Sequence, residues 1–134
     1  MSVASRIRSR VKMALAQDFK SIADVNGRGQ VEFDFLANSG LFTVEADNTL
    51  FVTSWSEAGS DSVHAYKDRV ELLGIRPGIT AFPSSVEELE QFDFTRRSSV
   101  CSIGDVVVFM NQDGRFLAVK ILDVQVRSRG ANRK

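Results

Sequence analysis

The residue types able to do chemistry gather in one short stretch. Ser62, His64, Tyr66 and Asp68 recur at two-residue steps, so on a β-strand all four project from one face, with Val63, Ala65 and Lys67 on the other. Trp55 and Ser56 precede them on a second strand-like run that could pair across from it. An imidazole titrates near neutral pH and can carry a proton, with Asp68 or Asp61 to orient it. Ser56 or Ser62 beside it gives the outline of a Ser-His-Asp arrangement. Two features weigh against that outline. Residues two apart on a strand have Cα atoms roughly 6.6 Å apart, and neither serine sits in a nucleophile-elbow pattern. If the face is concave, it makes a ligand pocket with a Trp55 wall and Ser56, Ser62, His64 and Tyr66 as hydrogen-bonding groups. The plain alternative is a solvated strand face.

Other reactive residues are isolated. Cys101 would need a base such as His64 nearby in space to act as a nucleophile; a small buried thiol is the commoner case. With one cysteine and one histidine in the chain, no intramolecular disulfide and no cysteine- or histidine-built metal site can form within it. Gly27-Arg28-Gly29 follows a helix-like run rather than a strand, so it is not a dinucleotide fingerprint. Asp113-Gly114 shares only two letters with a calcium loop. No cofactor and no metal are expected. Arg96-Arg97 and the C-terminal arginines could meet phosphate, but aromatic residues do not interleave with them, which argues against nucleic acid.

Composition sets the outer bounds. The 134 residues have a formal charge of +0, 43% hydrophobic and 25% charged residues, as in one soluble globular domain. No run of ~18 apolar residues is present to cross a membrane, and a single cysteine favours a reducing, cytoplasmic setting. The zero is unevenly spread. Residues 1–20 hold five Lys/Arg against one Asp, or +4; residues 115–134 hold six against one, or +5; the middle must then carry −9. An acidic body with basic ends can mark a partner surface, or the ends can lie against the body, within the chain or in a dimer.

The elements that must position these residues follow from periodicity. Val3, Ile7, Val11, Leu15, Phe19 and Ile22 recur at four- and three-residue steps, which predicts an amphipathic helix over 1–24, capped by Ser2 or Ser5. Its Arg- and Ser-rich start also has the look of a mitochondrial presequence, but the stripe continues as a core helix would. After Gly29 the period becomes two. Val31, Phe33 and Phe35 mark one strand, Leu41–Ala46 a second, Leu50–Ser56 a third and Ser62–Asp68 a fourth. Residues 69–73 suggest a helical turn or bend, and either Ser84/Glu87 or Ser85/Glu88 fits a capping box for a short helix. Asp105–Met110 and Arg115–Val126 form the closing hairpin about Asn111-Gln112-Asp113-Gly114. The second of these is apolar on both faces, so it should be central in its sheet.

From residue 40 to 130, Trp55-Ser56, then Ser62-Val63-His64-Ala65-Tyr66-Lys67-Asp68, then Phe92-Asp93-Phe94 and the Gly104–Ile121 hairpin resemble an uncharacterised bacterial β-rich domain with W-S and S-I-H-x-Y-N-D motifs. The chain departs from that pattern at Lys67, where the family tends to Asn, and at Arg69-Val70, where it tends to proline. The resemblance implies a compact β-domain and supplies no reaction.

The sequence therefore predicts one α+β domain over 1–134. It comprises a leading helix (1–24), a β-rich body (30–126) forming a mostly antiparallel, curved sheet or partly open β-barrel, and a basic tail (127–134). The expected function is a small binding module, non-catalytic, taking a small molecule or a protein on the Trp55/His64 face. The alternatives are a small hydrolase or lyase with His64, Asp68 and Ser62 as machinery, and a structural protein that forms a homodimer through its helix or an open sheet edge.

Overall fold

A computed structural model describes residues 9–21, 30–36 and 38–126. Ten strands run through them: β1 (Arg10–Gln17), β2 (Lys20–Ser21), β3 (Gln30–Phe33), β4 (Leu41–Ala46), β5 (Thr49–Gly59), β6 (Ser62–Tyr66), β7 (Leu72–Ile75), β8 (Ser98–Ser102), β9 (Val106–Met110) and β10 (Phe116–Gln125). The α-helix α1 (Val86–Leu89) is a single turn. The strands form two antiparallel sheets. One has the order β2-β1-β10-β9-β7, with β3 also on the outer edge of β1; the other has the order β4-β5-β6-β8.

The predicted leading helix is corrected by this arrangement, and with it the α+β class. The stretch that was to be its middle is β1, paired along its length with β10 and on its far side with β3. The misreading has a simple cause. A spacing of four is also two steps of two, so Val11 and Leu15 satisfy a strand as well as a helix. Met13 decides between them: Val11, Met13 and Leu15 are all buried while Lys12 is exposed. Phe19, the next member of the supposed stripe, is exposed in a turn with φ of 74°. Val3, Ile7, Ile22, the Ser2 and Ser5 caps, Gly27-Arg28-Gly29 and the tail 127–134 lie outside the described residues. The predicted barrel is corrected too. Among the described residues the strands do not close on themselves; the two sheets share one core instead.

That core takes Val11, Met13 and Leu15 from β1, Phe51 and Trp55 from β5, Val63 and Ala65 from β6, Phe109 from β9, and Leu117, Val119 and Ile121 from β10. The first sheet is covered on its other face as well. There Ala118, Val106 and Val108 meet Leu89, Phe92, Ile79 and Phe82 from the segment that carries α1. This double cover explains why β10 is apolar on both faces, and β10 lies between β1 and β9 as its pattern predicts. Among the described residues nothing covers the second sheet in this way, and its outer face keeps the period-two alternation of a half-buried sheet. Half of the Ser85/Glu88 capping box forms: Ser85 Oγ accepts from the Glu88 N–H, while the Glu88 carboxylate takes the N–H and hydroxyl of Ser84 rather than the Ser85 N–H.

Candidate functional site

The outer face of the second sheet is built from residues 54–66 and 98–102. Ser56 stands opposite His64 and Ser54 opposite Tyr66 on one side; Val100 stands opposite His64 and Ser98 opposite Tyr66 on the other. Val63 and Ala65 point into the core, so His64 and Tyr66 are turned outward and half-buried. Ser56 Oγ and the Tyr66 hydroxyl share a hydrogen bond of 2.6 Å, which their diagonal placement on adjacent strands allows. The His64 and Tyr66 rings lie with centroids 5.9 Å apart. Val100 completes the row and is 53% exposed.

Among the described residues no strand pairs with the far edge of β8, the strand at the end of this face. The Ser102 N–H is taken by the Asp105 carboxylate, and the Ser102 carbonyl accepts from the Asp105 N–H. Both groups of Ser102 therefore point away from β6. Backbone groups on a strand alternate in direction, so Val100 and Ser98 also turn their N–H and C=O away from β6. On the β6 side, the Arg97 carbonyl receives the Lys67 N–H, as the same alternation requires. The β8 sequence Ser-Ser-Val-Cys-Ser carries no charge, no proline and no glycine, none of the devices by which sheet edges are usually blocked.

The structure separates the residues that the sequence grouped. Trp55 is not a wall of this face. It pairs with Ala65, is only 2% exposed, and packs edge-on against Phe109 and Phe33 at 5.7 and 6.3 Å. Its indole Nε1–H is donated to Thr53 Oγ1 at 2.7 Å. Asp68 is not on the strand, because β6 ends at Tyr66 and the chain turns through Asp68, with the Val70 N–H bonded to the Lys67 carbonyl. Ser56 is bonded to Tyr66 rather than to His64, and Ser62 is buried at the bulged end of the hairpin. Among the described residues none hydrogen-bonds the imidazole, so no Ser-His-Asp relay is assembled. Cys101 points into the core, and burial, reinforced by the Asp105 charge, pushes its thiol from 9.0 up to about 12; such a thiol is not a nucleophile at neutral pH. No three His, Cys, Asp or Glu among the described residues are grouped to hold a metal, and no helix there is long and apolar enough to cross a membrane.

Two depressions flank β8. One, about 160 Å³, lies between β8 and the turn after β7 and is lined by Arg76, Pro77, Ser99, Val100 and Asp105. It is smaller than the roughly 300 Å³ at which small-molecule pockets begin. The other is a shallow groove of Lys67, Asp68, Val70 and Arg97. Of the six described cations without an ion-pair partner, four lie here and two, Lys12 and Lys120, lie on the other sheet. Arg10 reaches Glu32 and Arg115 reaches Asp18. Arg96 is held by Asp93, whose carboxyl is drawn below its ordinary 3.8 by hydrogen bonds from the Thr95 hydroxyl and N–H and then by Arg96 itself. Among the described residues Lys67, Arg69, Arg76 and Arg97 have no ion-pair partner.

Sequence reasoning missed β8 as a strand, and it missed a polar cluster at the other end of the sandwich. There Asn111, buried, donates through Nδ2 to Thr49 Oγ1 and the Leu50 carbonyl and accepts the Asp113 and Arg115 N–H groups at Oδ1. Asp18 receives Arg115 Nε and the Phe116 N–H beside it. This cluster ties three hairpin turns together. The signal for it was Asn at the head of Asn111-Gln112-Asp113-Gly114, a residue that caps turns through its side chain.

Taken together, the described residues define a two-sheet, mostly β sandwich in which one sheet is uncovered and ends in an unpaired edge strand. No family model, no curated protein and no solved structure matches the chain.

Proposed function

We propose that the chain is a binding module that takes an extended segment of a protein partner along β8, beside the His64/Tyr66 face. The observation that carries this reading is the outward pair of N–H and C=O groups on Ser98 and Val100, on a strand with no blocking residue. Added strands gain main-chain hydrogen bonds from such an edge and gain selectivity from alternate side chains. Here one side chain in two would meet the outer face at Val100 and His64, and the other would meet the cleft beside Ser99 and Arg76. A flat row of Ser56, His64, Tyr66 and Val100 suits a strand better than an enclosed small molecule.

The test is an NMR titration with an uncharged strand peptide, Gln-Gln-Val-Thr-Val-Gln-Gln, capped at both ends. Shift changes centred on 98–102 are expected. Val100→Pro removes an N–H that no described strand uses, and proline is tolerated on an edge; it should abolish those changes while the far-UV circular dichroism stays native. Shifts that persist in a folded Val100→Pro variant, or that centre elsewhere, would sink the reading.

A further inference from the structure

We infer that the segment β8 takes is acidic, an inference that rests on the edge reading above. The uncharged strand is ringed by cations that the fold leaves unpaired. Lys67 and Arg97 lie together in the groove at its N-terminal end, Arg69 is in the turn beside them, and Arg76 lines the cleft at its middle. Against these four stand Asp68 and Glu71 in the same turn and Asp105, and the Asp105 carboxylate is engaged by the Ser102 N–H at 2.8 Å. The neighbourhood is thus net positive within a middle region that carries −9. Among the described residues Arg10, Arg96 and Arg115 each have a carboxylate and Lys12 and Lys120 stand alone on the other sheet, whereas four unpaired cations around one edge make a complementary surface for an anionic strand.

Two other occupants fit less well. The chain's own ends beyond the described residues hold Arg6 and Arg8, and Arg127, Arg129, Arg133 and Lys134, the wrong sign for this rim. A second copy would have to satisfy the outward groups of Ser98 and Val100 with its own Val100 and Ser98, which places the two-fold axis at Ser99. Arg76, which lines the cleft beside Ser99, would then be driven toward its own copy, like charge against like. An acidic segment meets neither obstacle.

The experiment compares three labelled peptides that share a Val-Thr-Val centre and are flanked on both sides by Glu-Glu, Gln-Gln or Lys-Lys, by fluorescence anisotropy on the full chain. At low ionic strength the Glu peptide should bind at least about tenfold tighter than the Gln peptide, and the Lys peptide weaker than both. The gap should close in ~1 M salt, where the Debye length is ~3 Å. The double variant Lys67→Glu/Arg97→Glu alters exposed or half-buried side chains and spares the Lys67–Arg97 backbone bond, so it should fold and should invert the order of the Glu and Lys peptides. Equal binding of the Glu and Gln peptides would overturn the acidic inference and leave the edge reading standing. No binding of any peptide would overturn both. Self-association that Val100→Pro abolishes would make a second copy the occupant and overturn the acidic inference.

Discussion

Replacing Trp55 by alanine should cost the domain a large part of its stability, whereas replacing His64 by alanine should scarcely affect it. Both residues belong to one polar-looking motif, and the register puts them on opposite faces, with Trp55 across from Ala65 and His64 across from Ser56. The indole is 2% exposed and packs on Phe109 and Phe33. A buried tryptophan covers roughly 200 Å² of surface, worth about 5 kcal/mol at ~25 cal/mol/Å². Truncations of this kind cost about 3–5 kcal/mol because the site collapses only in part. Its Nε1–H bond to Thr53 Oγ1 is lost as well, but the Thr53 hydroxyl keeps its own bond to the Phe42 carbonyl, so little is left unsatisfied there. The expected loss is therefore about 4 kcal/mol, a large part of the ~5–15 kcal/mol that holds a domain together. His64→Ala removes a half-buried ring with no hydrogen bond among the described residues, a change of under about 1 kcal/mol. Urea denaturation followed by far-UV circular dichroism measures both. A Trp55→Ala loss below ~1 kcal/mol, or a His64→Ala loss as large as that of Trp55→Ala, would mean the indole is not in the core and the register is wrong.

Two further outcomes test other parts of the fold. Asn111→Ala deletes four hydrogen bonds, two that join the β9–β10 turn to the start of β5 and two that close the turn itself. At about 1 kcal/mol each, less what water recovers at the turn, the loss should be roughly 3 kcal/mol in urea; a change within ~0.5 kcal/mol would show that the cluster is ornamental. Cys101 should resist thiol reagents at pH 8 in the native protein and react at once when unfolded. Its folded pKa is raised, so the stability it contributes is whole below its ordinary 9.0 and is lost as pH climbs toward about 12. Cys101→Ala should flatten that alkaline decline, and an equal decline in the variant would assign it to other groups.

How much of this was legible in the sequence depended on whether a local pattern had one reading or two. Leu41–Ala46 alternates cleanly and is β4 to the residue, and the inward set Phe51, Thr53 and Trp55 of β5 is the set that the alternation selects. The two-faced apolarity of β10 placed it inside its sheet. Val11 and Leu15 failed because four is a multiple of two, and only pairing with β10 and β3, a non-local fact, settles which period applies. Trp55 and Ser56 failed differently. Adjacent strand residues face opposite ways, so a motif containing both cannot present both to one ligand, and the alternation itself held that information. β8 gave no signal because a short run of serine around Val100 and Cys101 has weak strand propensity. It is a strand because the odd-numbered backbone groups of β6 are left for it to pair with.

Charge behaves in the same way as periodicity. Counted along the chain, the cations lie at the two ends and the middle is acidic, which suggests a partner for the ends. Folding rearranges that account. Arg10 near the start is met by Glu32, and Arg115 in the last twenty residues is met by Asp18 and approached by Asp47. Lys12 and Lys120, the other cations described in these ends, have no ion-pair partner among the described residues. The cations left without carboxylates include Lys67, Arg69, Arg76 and Arg97, which belong to the acidic middle and come together only because β6 runs antiparallel to β8 and the turn after β7 lies beside it. A surface for a charged partner is set by which charges the fold fails to pair, not by their density in the sequence. On that criterion the edge of β8 gathers four of the six cations that have no ion-pair partner among the described residues.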